Sequence, residues 1–386
     1  ERRLLSVTPE LLFSNGGVSS NPENFTQVGD AVFFTATSTG FGTELWVTDG
    51  TPSGTTMVAD INPGPDSADP FNLVEFDGRL VFAASDGDDN FEPWISDGTE
   101  SGTHRIKDIN PGGSSIEFGK RYLYVPPGFP NPFPYPIELP PLEYMALTLE
   151  ETQFSTIMEF GRSSLLSSFK AADTFFFGAL TDNEGFELWR TDGTQEGTQL
   201  VRDMYPGNSS VHFYGPYTDI WGLTDVEGTL FYAGYDGEGD YGILKSDGSE
   251  EGTVSVTDVN PNDTTYPLRL VALNDELLFF TIDGSSLDGF NFWKSDGTEA
   301  GTALIKSFPN SSGDGIPYIR QLAVSEGLLF FAADDGANGK ELWISDGTEA
   351  GTSLLADIQP GAAWSDPHDL TSVNGGIFFT ANDGIH

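Results

Sequence analysis

"GKELWISDGTEAGT", residues 339–352, packs a Gly, an acid–Leu–Trp triplet and an Asp-Gly-Thr turn signal into fourteen positions. The phrase is one of six. The others are "ELWVTDGTPSGT" (44–55), "EPWISDGTESGT" (92–103), "ELWRTDGTQEGT" (187–198), "GILKSDGSEEGT" (242–253) and "NFWKSDGTEAGT" (291–302). Their central acids are Asp49, Asp97, Asp192, Asp247, Asp296 and Asp346. Four of the five intervals between them are about 50 residues, a period that belongs to repeat architectures. The interval between Asp97 and Asp192 is twice as long, and it predicts a degenerate unit over residues 116–160.

Each unit reads as four short strands. In residues 71–109, "FNLVEF" is strand A, "DG" turns the chain and "RLVFAAS" is strand B. The polar loop "DGDDN" leads to strand C, "EPWIS". "DGTESGT" then reverses the chain into strand D, "HRIKDI". β-branched and aromatic residues between Asp-Gly turns are the signature of hairpins. Four strands per repeat of about 40–50 residues match one blade of a β-propeller. The predicted fold is therefore all-β, a single β-propeller domain over 1–386. The degenerate blade at 116–160 carries a Pro-rich insert, 126–141, which cannot pair in a sheet.

The ends suggest how the ring closes. "ERRLLSV" at the start resembles a strand D, and "LTSVNGGIFFTANDGIH" at the end resembles strands A and B. Pairing the N-terminal strand with the C-terminal ones would remove exposed sheet edges. Counting that composite blade and the degenerate one gives eight blades as the first expectation and seven as the second. The start lies in mid-repeat with no leader visible, so a removed leader is expected.

Composition narrows the function classes. Against 17 Lys and Arg stand 59 Asp and Glu, a formal net charge of −42. Phosphate-rich partners need clustered cations, so no nucleic acid is expected as a partner. Nor is membrane insertion, because no apolar run is long enough to span a bilayer. Cations or a basic protein are what this field attracts. The chain has no Cys, which excludes disulfides, thiolate metal sites and Cys nucleophiles.

Within the phrase, Trp46, Trp94, Trp189, Trp293 and Trp343 fall at one position of strand C, as inter-blade packing would require. The Asp, Gly and Thr of the turn are local hydrogen-bonding and positive-φ residues. These residues resemble the ELWxxDGT-repeat family of exported or surface-attached bacterial proteins. The resemblance covers nearly the whole chain apart from residues 116–160 and implies a cell-surface setting without a defined activity. "AADDGANGKELW" (332–343) is also similar to the tryptophan-docking motif of eight-bladed quinoprotein dehydrogenases. No PQQ is expected, since the vicinal Cys pair typical of those enzymes has no counterpart.

Candidate sites lie in the loops. The B–C and D–A connections emerge at one end of a blade, and the DGT turns at the other. Asp86, Asp88, Asn90 and Glu92 alternate in the manner of a Ca²⁺ loop, and Asp236, Glu238 and Asp240 repeat the spacing. Solvated acidic turns are the plainer reading of both. Asp60, Asp108, Asp203, Asp258 and Asp357 precede the D–A turns, where they can bond turn backbone. At the start of strand A, Asn24, Phe71, Leu268, Tyr318 and His368 differ from blade to blade, as residues at a ligand-binding mouth would. Glycosylation sequons begin at Asn24, Asn208, Asn262 and Asn310.

No HExxH, GxSxG or phosphate-loop pattern appears, and only four His occur. The leading expectation is a secreted or cell-surface module for binding, adhesion or assembly, its partner a surface protein, a glycan or another copy of itself, with Ca²⁺ stiffening the acidic end. Two other readings stay open. One is an extracellular carbohydrate-active enzyme with carboxylates at the channel mouth. The other is a structural surface-layer or filament component.

Overall fold

The structure is a computed structural model. It describes residues 19–87, 90–111, 113, 115, 169–171, 174–204, 221–235, 241–257, 265–283, 289–309 and 322–385. Within these residues every regular element is a strand. Sheet 1 holds β1 (Glu23–Val28), β2 (Ala31–Ser38), β3 (Gly42–Thr48) and β4 (Thr56–Ala59). Sheet 2 holds β5 (Phe71–Phe76), β6 (Arg79–Ser85), β7 (Phe91–Ser96) and β8 (His104–Arg105). Sheet 3 holds β9 (Phe169–Ala171), β10 (Thr174–Thr181), β11 (Gly185–Thr191) and β12 (Gln199–Arg202). Sheet 4 holds β13 (Trp221–Val226), β14 (Thr229–Tyr235), β15 (Tyr241–Ser246) and β16 (Val254–Thr257). Sheet 5 holds β17 (Thr265–Leu273), β18 (Glu276–Asp283), β19 (Gly289–Ser295) and β20 (Ala303–Pro309). Sheet 6 holds β21 (Leu322–Ser325), β22 (Leu328–Asp334), β23 (Lys340–Ser345) and β24 (Ser353–Ala356). Sheet 7 holds only β25 (His368–Val373) and β26 (Gly376–Thr380).

In every sheet the strands are hydrogen-bonded in chain order, and each pairing is antiparallel where its register is defined. This is the up-and-down meander of a propeller-like blade. The expected four-strand unit is thus present, with the A–B and C–D turns at one end of each blade. The A–B turn is built by paired positive-φ residues, such as Asp77 (φ 50°) and Gly78 (φ 72°), which give the twist a two-residue hairpin needs. Strand D of sheet 2 is shorter than "HRIKDI" predicts. Pro93 sits opposite it in β7 and has no N–H to continue the ladder.

The chain divides into two compact units, residues 1–120 with 163–200 and residues 121–162 with 201–386. Sheets 1 to 3 belong to the first unit, whose boundary falls inside β12. In that unit Phe33 and Leu45 of sheet 1 meet Leu80, Phe82 and Trp94 of sheet 2. Val81 and Ile95 of sheet 2 then meet Phe175, Phe177 and Trp189 of sheet 3. In the second unit Phe231 and Ile243 of sheet 4 meet Phe279 and Trp293 of sheet 5. Phe280 and Phe292 of sheet 5 meet Phe331 and Trp343 of sheet 6. Ala323 and Leu342 of sheet 6 meet Leu370 of sheet 7. In the first four of these contacts the Trp of the phrase docks on the preceding sheet, as its position in strand C implied.

Sheets 2 and 3 pack directly on each other. The Leu180 N–H donates to the Ser115 carbonyl (2.8 Å), just as Ser85 donates to Ala68 (3.0 Å) between sheets 1 and 2. Asp182 N–H also donates to the Asn110 side chain (3.2 Å). Sheets 2 and 3 are therefore neighbours, although Asp97 and Asp192 stand two periods apart in the chain. The Pro-rich insert and most of residues 116–160 lie outside the described residues.

Cations are scarce, and several stitch neighbouring sheets. The Lys107 ammonium stands 5.7 Å from the Trp189 ring centre and donates to the Thr198 carbonyl at 2.7 Å. Lys306 stands 5.2 Å from the Trp343 ring centre. Both contacts place a charge over an indole face, a geometry that adds to the buried apolar area.

Candidate functional site

Each blade has two ends, and the copies of the phrase that begin with Glu contribute a carboxylate to both. At the turn end, Asp346 Oδ1 accepts from Thr348 N–H (2.9 Å) and Thr348 Oγ1–H (2.7 Å). The Gly351 N–H donates to Thr348 Oγ1 (2.9 Å), and Thr352 Oγ1 donates to the Thr348 carbonyl (2.6 Å). Beneath the turn the hydroxyls of Ser345 and Thr352 pair at 2.7 Å in a buried position. The same set recurs around Asp49, Asp97, Asp192, Asp247 and Asp296. Hydrogen bonds from the hydroxyl and N–H two residues on hold all six Asp carboxyls below their usual range.

The geometry also explains the second Gly of the phrase. Its φ is not positive, yet a Cβ on Gly351 would land on the Asp346 carboxylate, and the five equivalent Gly positions are equally closed. Gly347, by contrast, is required by its φ of 88°.

At the loop end stands the acid that opens the phrase, Glu44 and Glu341 in Glu-Leu-Trp and Glu92 in Glu-Pro-Trp; of these the sequence singled out Glu92 alone, as a Ca²⁺ ligand. Glu44, Glu92 and Glu341 are at most 1% exposed. Glu92 Oε2 accepts from Ile109 N–H (3.0 Å) and Ser115 Oγ–H (2.5 Å). Its Oε1 accepts from Asn110 N–H (3.4 Å) and Ser115 N–H (3.2 Å). Glu341 does the same with Ile358 (2.9 Å), Gln359 (3.3 Å) and both donors of Ser365 (3.1 and 2.6 Å). Glu44 takes Ile61 (2.9 Å) and Ala68 (3.1 Å), where Ala offers no hydroxyl. Each carboxylate is thus a staple that folds the D–A loop onto strand C. Burial pushes the Glu44 carboxyl up to about 7 against the pull of its N–H donors. Burial also raises Glu92, again opposed by its donors. The available signal was the recurrence of an acid at a position flanked by buried Leu and Trp.

These contacts place the expected site residues. Glu92 faces the interior with four donors on its two oxygens. Asp86 pairs with Arg105 (3.6 Å), which also reaches Asp108 (3.8 Å). Asn90 is half-buried in the same loop. Asp88, Asp236, Glu238, Asp240, Asp258, Tyr318 and the sequons at Asn208, Asn262 and Asn310 lie outside the described residues. Among the described residues no group of three or more His, Asp or Glu is gathered closely enough to hold a metal ion. Asp60 Oδ2 accepts from Gly64 N–H (3.3 Å), the turn-bonding role expected of it.

The strand A positions separate. Phe71 is buried in the core between sheets 2 and 3. Leu268 pairs with Phe280 in the ladder. His368 is exposed, with Nδ1 2.9 Å from the Asp366 carbonyl. Phe71, Leu268 and His368 each precede a bulge whose next residue has positive φ: Asn72, Arg269 and Asp369. Asn24 is itself such a bulged residue (φ 57°), so it stands one register later than the other three. Its amide donates to Thr35 Oγ1 at 3.2 Å and its side chain is exposed.

No protein-family model matches the chain, and no curated protein matches it. Among solved structures it is similar to puromycin hydrolase, with a TM-score of 0.40 and 12% identity over 95% of this chain and 50% of that one. It is similar to a puromycin-hydrolyzing peptidase of Mycobacterium tuberculosis, with a TM-score of 0.39 and 10% identity over 87% of this chain and 47% of that one. An uncharacterized protein of Listeria monocytogenes has a TM-score of 0.41 and 9% identity over 94% of this chain and 90% of that one. The chain spans about half the length of the first two.

Proposed function

We propose that this protein is a secreted or cell-surface β-propeller that acts as a binding module, its partner engaged at the loop end of the blades. One observation carries the reading. The acids of the repeated phrase are used internally, at the turn by Thr and at the loop by backbone N–H groups. The outward chemistry therefore resides in what differs between copies, chiefly the B–C and D–A loops. With a formal charge of −42, those loops favour neutral or cationic partners, a surface protein, a glycan or another copy of the chain. Ca²⁺ is the proposed counter-ion of acidic loops such as 86–90.

The proposed ring has seven blades, the second of the two counts expected. Among the described residues, six four-stranded sheets, the partial sheet 7 and the contact of sheets 2 and 3 support that number. The unmatched faces support closure. Phe378 is 65% exposed, whereas Val81 at the same position of sheet 2 is 2% exposed. Phe25 is 62% exposed, whereas Leu73 at the same position is 9% exposed. The proposed closure is an N-terminal strand joining sheet 7. Removal of residues 1–18 tests it: a lower melting temperature is expected, and an unchanged one contradicts closure.

The binding reading is tested by immobilising the protein and probing it with a glycan array, with polylysine and with a hydrolysis assay. Saturable binding without turnover is expected. Turnover of a bound glycan would favour the carbohydrate-active enzyme. A melting temperature unchanged between excess Ca²⁺ and EDTA would remove calcium from the account.

A further inference from the structure

We propose that Trp364, Lys340 and Asp366 form a saccharide-binding subsite selective for neutral or amino sugars over acidic ones. It rests on the binding-module reading and gives that reading a ligand class.

The site is visible against its counterpart in sheet 1. There Gly42 and Thr43 approach Asp66 and Ser67, and the Thr43 N–H donates to Ser67 Oγ at 2.9 Å. In sheet 6, Gly339 and Lys340 approach Ala363 and Trp364. The backbone frame is the same: Asp69 N–H reaches the Thr43 carbonyl and Asp366 N–H reaches the Lys340 carbonyl, each at 3.2 Å. On that frame two small polar side chains have become a cation and an indole. A pair that ties a loop to itself has been exchanged for a pair with surface to offer.

The indole is 36% exposed although its loop is stapled by the buried Glu341. The Lys340 ammonium lies 6.0 Å from its ring centre and 2.8 Å from Asp366 Oδ1. The Asp366 side chain is 60% exposed, so the paired carboxylate still faces water. On the adjoining B–C loop, Asp335 Oδ1 accepts from Ala337 and Asn338 N–H groups, both at 2.9 Å. Both loops beside the indole are therefore held before a ligand arrives, which limits the ordering cost of binding.

The chemistry selects the ligand. A rigid aromatic face takes the C–H face of a pyranose, while the flanking acid and ammonium accept from and donate to its hydroxyls. The field of the whole chain disfavours uronic and sialic acids and favours an amino sugar. His368, with its ring exposed and its Nδ1 beside the Asp366 carbonyl, lies at the edge of the same patch.

The test uses the intact chain on an array carrying neutral, amino and acidic glycans, followed by calorimetric titration of the best hit. Wild type should bind a neutral or amino glycan. Trp364→Ala should weaken that binding by about tenfold or more, as loss of an aromatic anchor does, at an unchanged melting temperature. Lys340→Met, which keeps the side-chain stem, should weaken it to a smaller extent. Undiminished binding by Trp364→Ala, a preference for acidic glycans, or no glycan bound at all would each overturn the subsite. Polylysine binding on the same surface distinguishes that failure from failure of the binding-module reading.

Discussion

The turn end and the loop end of a blade use carboxylates in opposite ways. At the turn end Asp346 is exposed, bonds residues two positions away and is held below its usual pKa by them. At the loop end Glu341 is buried and bonds residues 17 to 24 positions away. The first kind of contact shapes a hairpin locally. The second fixes the path of a loop that must leave one sheet and enter the next. The comparison teaches that one phrase encodes both the blade and its link to the neighbouring blade.

The largest expected effect breaks the loop end. Glu341→Ala strands the N–H groups of Ile358, Gln359 and Ser365, and should cost about 3 kcal/mol in chemical denaturation. A change smaller than a single surface substitution would show that solvent reaches those donors unaided. Next comes the turn end. Gly351→Ala drives a Cβ into the Asp346 carboxylate and should cost about 2 kcal/mol, whereas the strain disappears in the double variant with Asp346→Gly. Failure of the second change to recover part of the loss would assign the Gly to another cause.

The smallest effect separates the two carboxylates by pH. Glu44 titrates near 7 in the folded chain, above its ordinary 4.5, so its contribution is fully present at pH below 4.5 and is lost as pH rises through about 7. The turn Asp residues are shifted down, so theirs is present above their ordinary 3.8 and lost as pH falls below it. Relative to wild type, Glu44→Gln should flatten the fall in melting temperature between about pH 4.5 and pH 7. An identical slope in both proteins would mean that Glu44 does not titrate there.

Much of this fold was legible because its signals are local. Asp-Gly turns, alternating strands and the Trp of strand C each name their partner within a few residues or one blade. The buried Glu was not legible. An acid beside a polar loop reads as solvated, and the N–H groups that satisfy Glu92 arrive from residues 109 to 115. The expectation of a Ca²⁺ role for Glu92 rests on loop spacing, which carries no sign of these donors. The contact between sheets 2 and 3 was not legible for a related reason. The interval between Asp97 and Asp192 equals two periods, and the meeting of the Ser115 carbonyl with Leu180 and of Trp189 with sheet 2 is something spacing cannot express. The subsite at Trp364 was hidden because that residue lies outside the repeated phrase.

Amide hydrogen exchange in Glu341→Gln against wild type tests the staple most directly. The Ile358 and Ser365 amides should be protected in wild type and should exchange at least about a hundredfold faster in the variant, the loss of roughly 3 kcal/mol. The Thr348 amide, held by Asp346, should keep its rate. Equal protection of Ile358 and Ser365 in both proteins would contradict the claim that this buried carboxylate holds the loop end.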